Sequence, residues 1–285
     1  MKAMTSPKSR GSYGLSLLLR ILVWAAGMIT LGIFCCLLGY MLMKGLPHLS
    51  WDLFSPIYTS ENVSLFPALI NTVTMTLFSL LLAVPVGILS AVYLVEYAKR
   101  GNKLVKVVGI AAETLSGIPS IVYGLFGMLF FVTTLKWGYS LIAGAFTLGI
   151  MILPLIMRTT EEALRSVPDS YREGSFGLGA GKLRTVFRIV VPAAMPGIAS
   201  GVILAIGRIV GETAALIYTA GTVAAIPEGM FSSGRTLAVH MYALYSEGLH
   251  MDKGYATGVV LILLVVLINC AASLIAKFIG RGGRA

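Results

Sequence analysis

Arg208 and Glu212 lie four residues apart inside an apolar run, Gly197 to Ala220, that is long enough to cross a lipid bilayer. On a helix that spacing places both on one face. An unpaired charge at such a depth costs about 2.5–3.5 kcal/mol on insertion scales, and charges kept there usually line a pathway. Two readings follow. In one, Arg208 faces a pore and Glu212 fixes its side chain; in the other, the two form a purely structural ion pair. The first suits an anion, because guanidinium offers a planar fork of donors to a tetrahedral oxyanion. Arg208, Glu212 and the neighbouring Thr213 are therefore candidate substrate-pathway residues. Asn71, Thr72, Thr74, Thr76 and Ser79 place an amide and hydroxyls in a second apolar run. Polar contacts between helices are the plainer reading there, and pore lining the other. Asn71, Glu113 and Arg158 form a secondary set of candidates.

Other chemistry is hard to build from this sequence. Cys35, Cys36 and Cys270 sit in apolar runs and form no disulfide framework, and His48, His240 and His250 are isolated. No metal site is expected. A phosphate-binding loop needs G-x-x-x-x-G-K-[ST]. Before and after Gly181-Lys182, Phe176 stands where the first glycine belongs and Leu183 where the hydroxyl belongs. No G-x-S-x-G occurs either. The chain is expected to hold no cofactor and to be no enzyme, so any ATP would be bound with its magnesium by another chain.

The elements that position these residues are membrane spans. Of 285 residues, 57% are hydrophobic and 12% charged, where soluble domains carry about 25% charged. Six runs have the length of a spanning helix: roughly 17–43, 69–95, 107–132, 139–157, 197–220 and 255–278. The first is too long for the apolar core of a signal peptide and is read as an uncleaved span. The fold class expected is all-α integral membrane. Basic residues set the orientation. Seventeen of the 22 Lys and Arg fall in segments on one side, four (Lys44, Lys136, Arg235 and Lys253) on the other, and Arg208 within a span. Both termini are expected in the cytoplasm of a prokaryotic plasma (inner) membrane. The same asymmetry explains the net charge of +10 without nucleic acid.

Residues 158–194 form the longest inward segment. They predict a helix after Pro168, with Asp169 or Ser170 as its N-cap, ended by the glycines 177, 179 and 181, then a second amphipathic run ending at Val191-Pro192. Such a projecting helix suits docking into a partner's groove, and an ordinary surface loop is the alternative. Glu173, Gly179, Ile189 and Pro192 match the spacing of the E-A-A-x3-G-x9-I-x-L-P loop, with Gly174 and Ser175 replacing the alanines and Val191 the leucine. The segment thus resembles the coupling loop of bacterial ABC-importer permeases. Further runs, Val92–Tyr97, Gly117–Leu125, Arg158–Glu161 and Ala205–Ala214, resemble the phosphate branch of that family, and within it PstA-type more than PstC-type permeases.

The resemblance spans about residues 65–278 and implies a type I (MetI-like) permease core, preceded by residues 1–64 and followed by the tail 279–285. It implies that Arg172, Glu173, Gly179, Ile189 and Pro192 couple to an ATPase. It implies as partners a homologous PstC-like permease, two PstB-like ATPase subunits and an extracytoplasmic PstS-like phosphate-binding protein, around a chain embedded in membrane lipid. The expected function is ATP-driven phosphate import by alternating access. Transport of another oxyanion, an ion-coupled secondary transporter and an intramembrane enzyme are the alternatives.

Overall fold

The computed structural model describes residues 10–99 and 101–282, without the side chains of 10–14, 104 and 275–282. Lys2, Lys8, Arg100 and Arg284, counted above for orientation, lie outside the described residues. Every regular element described is helical. In hydrocarbon, a helix satisfies each backbone group within its own segment, which an open sheet cannot do.

The 36-residue α1 (Arg10–Gly45) is peripheral. Most of its leucines, its isoleucines and Trp24 are exposed, as expected of a face that meets lipid. It touches α11 (Met251–Gly282) at the end of its run, where a Cβ on Gly45 would lie 2.6 Å from the Val259 side chain. Tyr40 stacks edge-on against Tyr255 nearby.

The core is built by α2 (Phe66–Val92), α5 (Leu141–Arg165) and α8 (Val191–Val210), joined by α11. Glycine permits two of the closest approaches. A Cβ on Gly197 would lie 2.6 Å from the Ala163 Cβ, and one on Gly201 would collide with Thr159, so α8 lies directly on α5. Gly207 and Gly211 share the same spacing but make no such crossing. Only the first G-x-x-x-G pair is a packing seam.

The third expected span is broken. The helices α3 (Lys103–Ser116) and α4 (Ser120–Gly127) meet at 102°. Pro119 has no N–H to continue the ladder to Leu115. Instead the Ile118 N–H and the Tyr123 hydroxyl donate to the Leu115 carbonyl, at 3.1 and 2.8 Å. The run then continues as a π-helical segment, Met128–Thr134.

Outside the core, residues 46–65 fold over the ends of α2 and α11 and bury Leu53 and Leu65. The segment 219–232 ties down the start of α5: Leu141 and Ile142 N–H donate to the carbonyls of Ser232 and Met230. After a short α9 (Ala214–Ile217), α10 (Leu237–Glu247) packs inward with Leu237, Val239, His240 and Leu244 buried.

Candidate functional site

The segment after α5 is held together by one guanidinium. In α6 (Asp169–Gly177), Arg172 Nη2 donates to Glu96 Oε1 at 2.6 Å and to the Leu164 carbonyl at 3.0 Å. Nη1 reaches the Val167 carbonyl at 2.8 Å and Asp169 Oδ1 at 3.1 Å, and Nε reaches Glu96 Oε1 at 3.1 Å. Leu164 lies in the last turn of α5 and Val167 just beyond its end, and Glu96 lies in the π-helical segment Tyr93–Tyr97 that follows α2. The ends of α2 and α5 are thus clamped to α6. The hydrogen bonds that Arg172 donates to Glu96 outweigh burial and raise the Arg172 pKa above its already high ordinary value. Arg172 is therefore charged at any working pH.

Neither Asp169 nor Ser170 caps α6 through its side chain: Pro168 occupies the N-cap position, and Asp169 Oδ1 accepts from Arg172 instead. At the far end Gly179 adopts φ +81° and its N–H donates to the Phe176 carbonyl at 2.9 Å. Nothing lies within 4 Å of its Cβ position, so the glycine is required by the backbone, not by space. The Ser175 and Thr185 hydroxyls, both buried, pair at 2.8 Å and lock α6 to α7 (Lys182–Thr185). Glu173 is exposed, Ile189 half-buried and Pro192 exposed. The outer side of the segment shows Tyr171, Phe176, Leu178 and Leu183, with Leu178 91% exposed.

The second amphipathic run does not stop at Val191-Pro192. Residues 182–210 form one continuous rod in which a π-helical segment, Val186–Val190, precedes α8. Pro192 follows directly on the π-helical segment, at the second position of α8.

Arg208 occupies the last turn of α8. It lines an open cavity of 590 Å³ with Leu155, Ser200, Ile203, Leu204, Gly207 and Asn269. Among the described residues no carboxylate forms an ion pair with it. The expected pairing with Glu212 on one helix face is corrected by the structure: α8 ends at Val210, so the four-residue helical spacing is lost. Glu212 is buried, and its Oε1 accepts from the Ala215 N–H at 3.0 Å, at the start of α9. Thr213 is the half-buried N-cap residue of α9 but makes no side-chain cap bond. The apolar run that suggested a span to Ala220 contains this break because Gly211-Glu212-Thr213 turns the chain.

The secondary candidates are separate from that cavity lining. Arg158 Nη2 lies 3.4 Å from Glu113 Oε2, linking α5 to α3 at a partly exposed position. Asn71 Nδ2 donates to the carbonyls of Ala225 and Arg235, fastening the 221–236 segment to α2. Thr72 Oγ1 accepts the Leu237 N–H at the start of α10. Glu96 and Asn269 were missed by sequence reasoning. Asn269 carried a readable signal, as an amide within the long apolar run of α11; Glu96 fell within the Val92–Tyr97 run, but nothing there pointed to Arg172 as its partner.

Comparison with known proteins agrees with this architecture. Residues 83–284 match the model of the family described as "Binding-protein-dependent transport system inner membrane component". The chain is 34% identical over 254 residues to the probable ABC transporter permease protein YqgI of Bacillus subtilis, covering 83% of this chain and 86% of that one. It is 32% identical over 287 residues to the phosphate transport system permease protein PstA 2 of Mycobacterium bovis, covering 99% and 92%. Among solved structures, a bacterial alginate ABC transporter with an alginate-bound periplasmic protein aligns with TM-score 0.64 at 18% identity, over 95% of this chain and 96% of that chain. The MetNI methionine ABC transporter aligns with TM-score 0.57 at 21% identity, over 84% and 96%. The all-helical core with its projecting α6 is accordingly that of the binding-protein-dependent transport system inner-membrane components, the permease subunits of ABC transporters, and the chain belongs to that family.

Proposed function

We propose that the chain is the permease half that carries inorganic phosphate inward, with Arg208 in the substrate pathway. The observation that carries this reading is a guanidinium at the edge of an open cavity, with no ion pair to a carboxylate among the described residues. Such a group favours an anion, and its fork favours an oxyanion. The identity with PstA-type permeases supports phosphate among oxyanions. YqgI, whose printed name gives no substrate, keeps another oxyanion as the second reading.

The partners proposed are a homologous PstC-like permease, two PstB-like ATPase subunits and a PstS-like binding protein. The apolar side of α6 is the proposed ATPase contact. Closure of the ATPases would push α6, and the Arg172 clamp would pass that displacement to α2 and α5. The test is uptake of radiolabelled phosphate beside membrane abundance of the variant. Arg208→Gln is expected to assemble at wild-type level and lose at least tenfold in uptake. Arg208→Lys is expected to fall between the two. Uptake by Arg208→Gln at the wild-type rate would remove Arg208 from the pathway.

A further inference from the structure

Beside the Arg172 clamp lies a second cavity, of 740 Å³. Its walls come from the π-helical segment after α2, from the start of α3 and from the clamp, with Glu96, Asp169 and Arg172 in the lining. It collects charge of one sign. Lys99, Lys103 and Lys106 all line it, and among the described residues no carboxylate forms an ion pair with any of them. The two carboxylates in the lining are already engaged: Arg172 holds Glu96 at 2.6 Å and Asp169 at 3.1 Å. Lys103 and Lys106 moreover fall in the first turn of α3, which holds no acidic residue. Cations are disfavoured at that end of a helix, so these lysines carry a local cost that a bound anion would offset.

The surroundings select the kind of anion. Ligand pockets for organic molecules span about 300–1,000 Å³, and an inorganic ion would fill only a small part of this one. Leu94 and Val95, also in the lining, end the span that begins at Phe66. The cavity thus sits where hydrocarbon gives way to water, on the side that the basic residues assign to the cytoplasm. On α3, Val107 follows Lys103 by four residues and Ile110 follows Lys106 by four, so each shares its lysine's face. Both are exposed, 64% and 55%. One strip of α3 therefore runs from ammonium groups to exposed apolar surface. A soluble anion would use the lysines alone. A phospholipid uses the whole strip.

We propose that this cavity binds the headgroup of an anionic phospholipid, with its phosphate held by Lys99, Lys103 and Lys106 and an acyl chain lying along Val107 and Ile110. Basic pockets between helices at the cytoplasmic surface recognise such headgroups by the same chemistry. Soluble phosphate esters share that chemistry, and the apolar strip decides for the lipid. Bound there, the lipid ties the start of α3 to the Arg172 clamp. The inference is independent of the substrate the chain carries.

The experiment uses the transporter purified with its partner subunits, equilibrated with equal amounts of phosphatidylglycerol and phosphatidylcholine, and counts retained lipid by native mass spectrometry. Wild type is expected to keep at least one phosphatidylglycerol per copy of this chain in preference to phosphatidylcholine. Lys103→Gln combined with Lys106→Gln is expected to lose it, and Lys99 stays in place to support the orientation. Both substituted lysines are exposed, so assembly should be unaffected. No preference in wild type, or equal retention by wild type and the double variant, overturns the proposal. Added glycerol 3-phosphate is expected to leave the wild-type count unchanged; if it displaces the lipid, the cavity belongs to a soluble anion and the lipid reading falls. Loss of a partner subunit from the double variant with its lipid retained would make the lysines a protein contact, and overturns the proposal as well.

Discussion

Arg172 and Glu96 are 76 positions apart in the chain and 2.6 Å apart in space. Their side chains are 15% and 8% exposed. Removing one partner of a buried pair strands the other at a cost of about 3–5 kcal/mol. Glu96→Ala is therefore expected to reduce membrane abundance, uptake, or both by at least tenfold. The charge-swapped pair Glu96→Arg with Arg172→Glu is expected not to recover, because Arg172 also donates to Leu164 and Val167 carbonyls. Quantitative immunoblotting beside phosphate uptake checks this. Recovery by the swap would reduce the clamp to a simple ion pair.

Glu212 is predicted to act through α9. Glu212→Gln keeps an oxygen that can accept from Ala215 N–H and should retain at least half of wild-type uptake. Glu212→Ala removes the acceptor, at about 1 kcal/mol on the scale of N-terminal caps, and should fall below the glutamine variant. An arginine-fixing role predicts instead that Gln and Ala are equally damaging. Uptake normalised to abundance separates the two patterns.

Two glycines on α8 should respond in opposite ways. A side chain at Gly201 would run into Thr159, so Gly201→Leu is expected to separate α8 from α5 and abolish accumulation in the membrane. A Cβ at Gly207 meets nothing within 4 Å, so Gly207→Ala should accumulate normally. Because Gly207 lines the Arg208 cavity, Gly207→Leu should accumulate as well and yet transport less. Abundance and uptake measured together check both; poor accumulation of Gly207→Ala would place that face in a helix contact.

Orientation is predicted from the basic residues. Ser60 and Ser170 are both exposed, one in the 46–65 segment and the other in α6. In a cysteine-free background, Ser60→Cys should react with an impermeant thiol reagent on intact cells, and Ser170→Cys only after the cells are opened. The reverse pattern would invert the topology.

The helices and their membrane character were legible because each needs only a run of apolar residues, a local property. The breaks were not. Nothing in hydropathy marks the stop at Gly211-Glu212-Thr213, since Ala214–Ala220 resumes the apolar run. Hydropathy does not mark the 102° bend at Pro119 either, because only the fold brings Tyr123 back to the Leu115 carbonyl. Arg208 was found by its cost in lipid. Arg235, only 5% exposed, was passed over, because the same reasoning assigns a basic residue in a loop to water. Glu96 was invisible for a third reason: its partner is remote in sequence, and a lone carboxylate at a span's end reads as solvated.

The π-helical segment Val186–Val190 holds one more residue in its turn than an α-helix would. It lies between the exposed apolar side chains of Phe176, Leu178 and Leu183 and everything α8 presents above it. Shortening it by one residue would leave composition, hydropathy and the apolar span almost unchanged. It would also rotate the rest of the rod by about 100°, carrying Gly197 and Gly201 off α5 and Arg208 off its cavity. Chain length in this short stretch is thus the variable that aims the arginine. Natural variation should fall on its side chains, with insertions and deletions kept out.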